Sequence, residues 1–266
     1  MDYGDMKLGK KVAKYDARTL KLATIFRELP LIPPSYNVDS GLGLTLPTPM
    51  LKNDSLGDCV IAGRGHYTLR LEGFEQRKVL PILDSDVTNE YFAESGGQDA
   101  GLVMLDSLNK WRQNGWAVST EIKTKKFLCM TTSRTVTSEV YSIYAYGSVN
   151  QLNHNNVKAT IYLLNGLYVG VRLPISAQKQ NIWDVDNSAN GEPGSWGGHC
   201  IYIMAYDESY LTCVTWGKFQ KMTWAFLDKY CDECFGIVDK KDSWLGANSP
   251  VDTEKLDEYL HSVTTA

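Results

Sequence analysis

No stretch of this chain approaches the roughly 18 consecutive apolar residues of a membrane-spanning helix. The opening residues, MDYGDMKLGKKVAKYDARTLKLATIF, also lack the apolar centre of a secretory leader. The expectation is a protein of a cytoplasmic or other reducing compartment, with no membrane partner. Basic runs are missing too. Lys and Arg number 27 against 31 Asp and Glu, a formal net charge of -4, which disfavours nucleic acid as a partner. Cysteine is sparse: six thiols, at positions 59, 129, 200, 213, 231 and 234, do not form the framework of a disulfide-stapled secreted domain. Internal repeats and low-complexity tracts are absent. Gly194-Ser195-Trp196-Gly197 lacks the Lys-Ser/Thr of a phosphate loop and the spacing of a serine-hydrolase elbow. Cys231-Asp-Glu-Cys234 has no second pair with which to close a zinc site. No cofactor and no metal are expected.

What is present suffices for a self-supporting core. With 266 residues, 43% of them hydrophobic, the chain is sized for one large domain or two lobes sharing a core, without crosslinks. Residues 1–50 hold one helical candidate, Ala17 to Glu28, with Leu20, Leu22, Ile25, Phe26 and Leu29 on one face. A Pro-rich belt follows it, through Pro30, Pro33, Pro34, Pro47 and Pro49. Residues 51–120 read as helical: Cys59 to Lys78, weakened by Gly63 and Gly65, then Asp84 to Phe92, and Gly101 to Asn114 ending at Gly115. Residues 121–240 are rich in β-branched and aromatic residues, and HCIYIMAYDESYLTCVTW reads as a hairpin about an acidic turn. Helices are expected within that half at Asn155–Asn165 and Thr223–Cys234, with Thr223 as N-cap. The tail, 241–266, has the pattern of a last amphipathic helix. Helices followed by strands give an α+β fold.

Two residues stand out for chemistry. Cys59 follows the tight-turn sequence Asn53-Asp54-Ser55-Leu56-Gly57-Asp58 and begins an apolar helix, a position where the helix dipole favours thiolate. His199 follows a Gly-rich approach at the start of a strand pattern, where an exposed, positioned imidazole is expected. The other histidines are less suited: His66 is two helical turns from Cys59 and reads as core, while His154 and His261 lie in polar surroundings and read as solvated surface.

The spacing then resembles that of papain-like cysteine peptidases. In that family a Gln stands six residues before the nucleophilic Cys, with a Gly between; here Asn53, Gly57 and Cys59 fall in step. A Gly-Gly pair precedes a cleft-lining helix, matched by Gly96-Gly97. A His opens a strand that ends in Gly-Tyr, and the returning strand closes with Asn-Ser-Trp-Gly. Here the text runs from His199 to Tyr206, turns, and closes at Thr215-Trp216-Gly217. The similarity covers about residues 47–240.

The resemblance implies a two-lobed fold, with a helical lobe, an antiparallel sheet or barrel lobe, and a cleft between. It implies Cys59 as nucleophile, His199 as its imidazolium partner, and Asn53 as an oxyanion donor one methylene shorter than Gln. Thr215 would take the place of the orienting Asn. Trp216 would lie beside the His and, with Gly96 and Gly97, line the substrate site. The implied activity is hydrolysis of peptide or isopeptide amides through an acyl-enzyme, with a polypeptide or amide as substrate. Two other readings use the same fold: amide transfer or deamidation, and a catalytically weak structural or binding module of a bacterial or phage assembly, a virion component with a protein partner. Asn53 and Thr215 are the departures that favour the module.

Overall fold

The computed structural model describes residues 3–27, 31–44, 46–126, 132–239 and 250–264. In chain order its elements are β1 (Tyr36–Asn37), α1 (Val38–Leu42), α2 (Cys59–Gln76), α3 (Asp84–Ser95), α4 (Met104–Asn114), β2 (Trp116–Lys126), β3 (Thr132–Tyr141), β4 (Ile143–Ser148), α5 (His154–Leu163), β5 (Leu167–Leu173), β6 (Ile182–Trp183), β7 (Gly197–Tyr206), β8 (Tyr210–Thr215), β9 (Lys218–Thr223), α6 (Trp224–Tyr230), β10 (Cys231–Asp239) and α7 (Thr253–Thr264). Seven strands run β4-β10-β5-β7-β8-β9-β6, and β1 pairs with β7 to make eight. Pairing is antiparallel except between β6 and β9. The end strands β4 and β6 do not pair, so the sheet is open and the barrel alternative is not realised. Strands β2 and β3 form a separate hairpin.

Both faces of the sheet are covered, which is why β7 is buried along nearly its whole length. Side chains alternate between faces. Tyr168 of β5 and Cys200, Tyr202 and Met204 of β7 belong to the core shared with α2, α3 and α4. Val169, Val171, Ile201 and Ile203 belong to a second core with α5 and α6. Helix α2 lies deepest. Its two glycines, costly for a helix by propensity, are packing requirements. A Cβ on Gly63 would meet Tyr168 at 3.1 Å and the Cys200 sulfur at 3.2 Å, and one on Gly65 would meet Leu51 at 2.9 Å.

Several boundaries differ from expectation. Ala17–Glu28 is not a helix: only Leu22–Thr24 makes a short 3-10 turn, although Leu20, Leu22 and Ile25 are buried as their spacing implied. The chain there bonds to the sheet instead, with the Ser148 amide donating to the Leu20 carbonyl at 2.7 Å. The belt holds β1 and α1, with Asn37 capping the latter by accepting from the Asp39 amide. Helix α6 begins after its Thr223 cap but stops at Tyr230. Residues Cys231 to Cys234 are strand, because β10 fills the slot between β4 and β5; tertiary pairing overrides local helical pattern. Cys129 lies outside the described residues.

Candidate active site

Helix α2 carries Cys59 as its first residue and packs against strand β7, which carries His199. The backbone amide of Cys200, the residue after His199, faces the Cys59 sulfur, as does the backbone of Gly9. Nε2 of His199 lies 2.7 Å from the Thr215 hydroxyl. Its Nδ1 is buried without a hydrogen bond. With the proton on Nε2, the ring donates to Thr215 and Nδ1 keeps its lone pair for a proton from elsewhere. The Trp216 ring stacks on the imidazole, centroids 4.1 Å apart and planes 14° off parallel.

Neither Cys59 nor His199 is exposed. Both have 0% of their surface in contact with solvent, which corrects the expectation of an exposed imidazole in an open groove. Burial pushes the thiol up to about 11, against the pull of the Cys200 and Gly9 backbone groups. It also pulls His199 down to about 3. In this arrangement the two are a neutral thiol and a neutral imidazole at pH 7.

The N-terminal segment forms this cover. Tyr3, fully buried, donates its hydroxyl to Gln220 at 2.8 Å and packs 5.1 Å from Trp216. Trp216 donates its indole N–H to the Lys7 carbonyl at 3.3 Å. The chain then crosses between the lobes. The Lys10 amide donates to Gly198 O at 3.1 Å on the sheet side, and on the helical side Leu102 donates to Gly9 O at 2.8 Å and accepts from the Lys11 amide at 2.8 Å. The fit is backbone against backbone. A Cβ on Gly9 would lie 1.7 Å from Gly57 O, one on Gly101 2.2 Å from Gly9 O, and one on Gly198 2.3 Å from Lys10 O. The Lys10 side chain ends between two carboxylates, 2.8 Å from Asp232 and 3.0 Å from Glu233. Burial alone would lower its pKa, but Glu233 and Asp232 together outweigh that and raise it.

The remaining expected residues are placed as follows. Asn53 is buried at the helix tip, but one hydrogen of its amide is spent on Asp58 Oδ1 at 3.0 Å. Gly96 and Gly97 terminate α3 with φ of 72° and 79°, in open space and away from the crossing segment. The backbone that holds an extended chain is that of Leu102. Asp99, between them, accepts from the Gly57 amide at 2.9 Å and so ties this loop to the Cys59 turn. Trp216 shields His199 and anchors the N-terminal segment. It has a φ of 43°, an unusual value for a bulky residue, at the turn from β8 into β9. His66 is core, as expected. His154 is not simply solvated: it sits 2.8 Å from Asp228 and 4.5 Å from the Trp224 ring.

Solved structures share this fold. The cysteine protease xylellain from Xylella fastidiosa superposes with a TM-score of 0.65 at 13% identity, over 89% of this chain and 97% of that one. A procathepsin B from Trypanosoma congolense gives 0.62 at 10%, over 88% and 87%. The cysteine protease and lectin-like domains of Cwp84, a surface layer associated protein of Clostridium difficile, give 0.60 at 12%, over 91% and 58%. The fold is that of the papain-like cysteine proteases. No family model matches the sequence, nor does any curated protein.

Within this papain-like frame, four residues at the site were not singled out from sequence. Lys10 carries no local signal, standing in an ordinary Gly-Lys-Lys. Asp58 was hidden by its neighbour Cys59, although an acid on the turn leading into a nucleophile is unusual company for a thiolate. Burial lifts its carboxyl to about 8, while the Asn53 hydrogen bond opposes the rise. Asp232 and Glu233 carry no signal of their own within the Cys-Asp-Glu-Cys motif. Those thiols, Cys231 and Cys234, are buried in the second core, and the acids between them meet Lys10.

Proposed function

We propose that this protein is a thiol hydrolase of peptide or isopeptide amides, with Cys59 as nucleophile and His199 as its base and acid, held closed by residues 3–12. What supports the reading is a cysteine at a helix N-terminus whose sulfur meets the backbone of Cys200, next in sequence to a histidine that is 2.7 Å from Thr215 and has one ring nitrogen unused. Once the segment leaves, water and the helix N-terminus favour the thiolate, and the imidazole takes the proton. The thiolate adds to the substrate carbonyl. The Cys59 amide N–H and the second hydrogen of the Asn53 amide are the donors available to the oxyanion. His199 then gives its proton to the leaving amine, and water hydrolyses the acyl-enzyme by the reverse relay.

The binding-module reading is favoured by one observation, the commitment of Asn53 to Asp58. Labelling separates the two. A peptidyl electrophile is expected to modify Cys59 in the opened chain faster than it modifies a small free thiol, and Cys59→Ala and His199→Ala should abolish that excess. Modification no faster than that of the free thiol leaves the module.

A further inference from the structure

The turn that leads into Cys59 contains a buried acid with no helical duty. Asp58 stands at the N-cap of α2, where an Asp side chain ordinarily accepts a hydrogen bond from an amide of the first turn, but here it makes no such cap bond. The helix start is secured by main chain instead, through the Asp58 carbonyl, which accepts from the Ile61 and Ala62 amides at 2.8 and 3.0 Å. The carboxyl is fully buried, a costly place for an acid. Its bond to another residue is with the Asn53 amide, Nδ2 donating to Oδ1 at 3.0 Å, and its Oδ2 is buried without a hydrogen bond among the described residues. The side chain therefore serves Asn53 rather than the helix.

The backbone ahead of Asn53 is bent to the same end. Leu51 and Lys52 are consecutive left-handed residues, with φ of 58° and 66°, a region unfavourable for L side chains and one that persists only where the surroundings impose it. Leu51, 1% exposed, is the anchor. Gly65 of α2 leaves room for it, since a Cβ there would lie 2.9 Å from Leu51 Cδ1. The Ser55 and Leu56 amides donate to the Lys52 carbonyl at 2.9 and 3.0 Å and close the turn. A side chain one methylene shorter than Gln is thus delivered, buried, to the residue that precedes Cys59. A primary amide carries two hydrogens in one plane. Asp58 takes one, which fixes the plane and so the direction of the other.

We propose that Asp58 is a positioning residue of the oxyanion site, holding the Asn53 amide so that its second hydrogen meets the oxygen of the tetrahedral intermediate. This rests on the reading of Cys59 as an acyl-transfer nucleophile, and the test separates the two. The full-length Gly9→Ala chain is treated at pH 7 with two small reagents, and the rate of each at Cys59 is read by mass spectrometry of its peptide. With p-nitrophenyl acetate, the thiolate adds to the ester carbonyl, an oxyanion forms, and p-nitrophenolate leaves as the thioester is made. With iodoacetamide, the same thiolate displaces iodide and no oxyanion forms. The ratio of the two rates, set against that of a small free thiol, isolates the oxyanion site.

In that chain the ratio is expected to exceed the free thiol's by about tenfold or more. Asp58→Ala should lower it roughly tenfold to a hundredfold, short of the loss typical when a donor is removed outright, with the iodoacetamide rate kept. Asp58→Asn should retain it, because burial holds the Asp58 carboxyl up at about 8 and a neutral amide oxygen accepts from Asn53 as the neutral acid does. Added to Asn53→Ala, Asp58→Ala should cost nothing further, since the two act through one hydrogen bond. A ratio that survives Asp58→Ala but falls in Asn53→Ala, or a fall of both rates together in Asp58→Ala, overturns the positioning role alone. A parent ratio no higher than the free thiol's overturns the hydrolase reading and the role of Asp58 with it.

Discussion

At the scale of single residues, Thr215 concentrates the question of how well this site works. A hydroxyl replaces the carboxamide expected there from the resemblance, yet it lies 2.7 Å from His199 Nε2 and holds the ring between itself and the Trp216 face. A threonine oxygen is a weaker fixed acceptor because its hydroxyl rotates and can itself donate. In a chain opened by Gly9→Ala, Thr215→Val is expected to slow Cys59 labelling roughly tenfold to a hundredfold, less than loss of a whole acid–base group. Thr215→Asn should retain or raise the rate. Thr215→Val leaves the buried His199 Nε2 without its partner, so its unfolding midpoint should fall modestly, and the labelling rates are compared where both variants are folded. An unchanged rate in Thr215→Val would mean that the tryptophan alone positions the ring. The helix start at Cys59 and the hairpin that brings Thr215 to His199 were legible in the sequence, because each is set by local spacing. Lys10 was not, since its role exists only once residues far apart in the chain, Asp232 and Glu233 among them, are folded beside it.

Among the elements, the N-terminal segment is the one whose sequence misled most. Its apolar residues are spaced for a helix, and Leu20, Leu22 and Ile25 do become buried, but the partner surfaces are a sheet edge and a cleft. A segment docked through backbone bonds leaves little pattern in its side chains. What marks it is glycine on both sides of the contact: Gly9 in the segment, Gly57, Gly101 and Gly198 in the walls. The substitution Gly9→Ala should therefore act as a wedge, because its Cβ would fall 1.7 Å from Gly57 O. Freed of its cover, the thiol should return from about 11 toward its ordinary 9.0. A shift of two units multiplies the thiolate fraction near neutral pH by about a hundred. Iodoacetamide labelling of Cys59 at pH 7 is expected to accelerate by about that factor, while α2 and the sheet keep their cooperative unfolding. A rate equal to that of the unsubstituted chain would show that the seal over Cys59 does not depend on this contact.

At the scale of the molecule, an α+β fold with helices before strands was readable from composition along the chain. The buried charges that tie the lobes together were not, because burial is a property of the assembled core. Those charges make a prediction about stability as a function of pH. His199 and His66 are both held near 3 in the folded state, chiefly by burial, against about 6.5 unfolded. Their contribution is complete above pH 6.5 and is lost as pH falls toward 3. Asp58 behaves oppositely. Its folded value of about 8 lies above the 3.8 of the unfolded chain, so the folded state holds a proton that the unfolded chain has given up. Stability from this group is complete below about pH 4 and is lost as pH rises toward 8. Glu90 and Glu233, also raised above 4.5 mainly by burial, act in the same direction as Asp58. Each such group contributes a slope of at most about 1.4 kcal/mol per pH unit within its window. The two histidines outweigh Asp58 below pH 6.5, and above it only the carboxyls still titrate. Glu90 and Glu233 add to Asp58 and move the balance toward lower pH, so urea midpoints measured from pH 4 to 9 should pass through a maximum at or below pH 6.5 and fall from there to pH 8. Asp58→Asn should flatten the alkaline limb between 6.5 and 8, and His66→Gln should make the acid limb shallower. A wild-type plateau from pH 6.5 to 8 would mean that Asp58 is ionised in the folded protein, and the helix tip that presents Cys59 would then carry a negative charge opposing the thiolate.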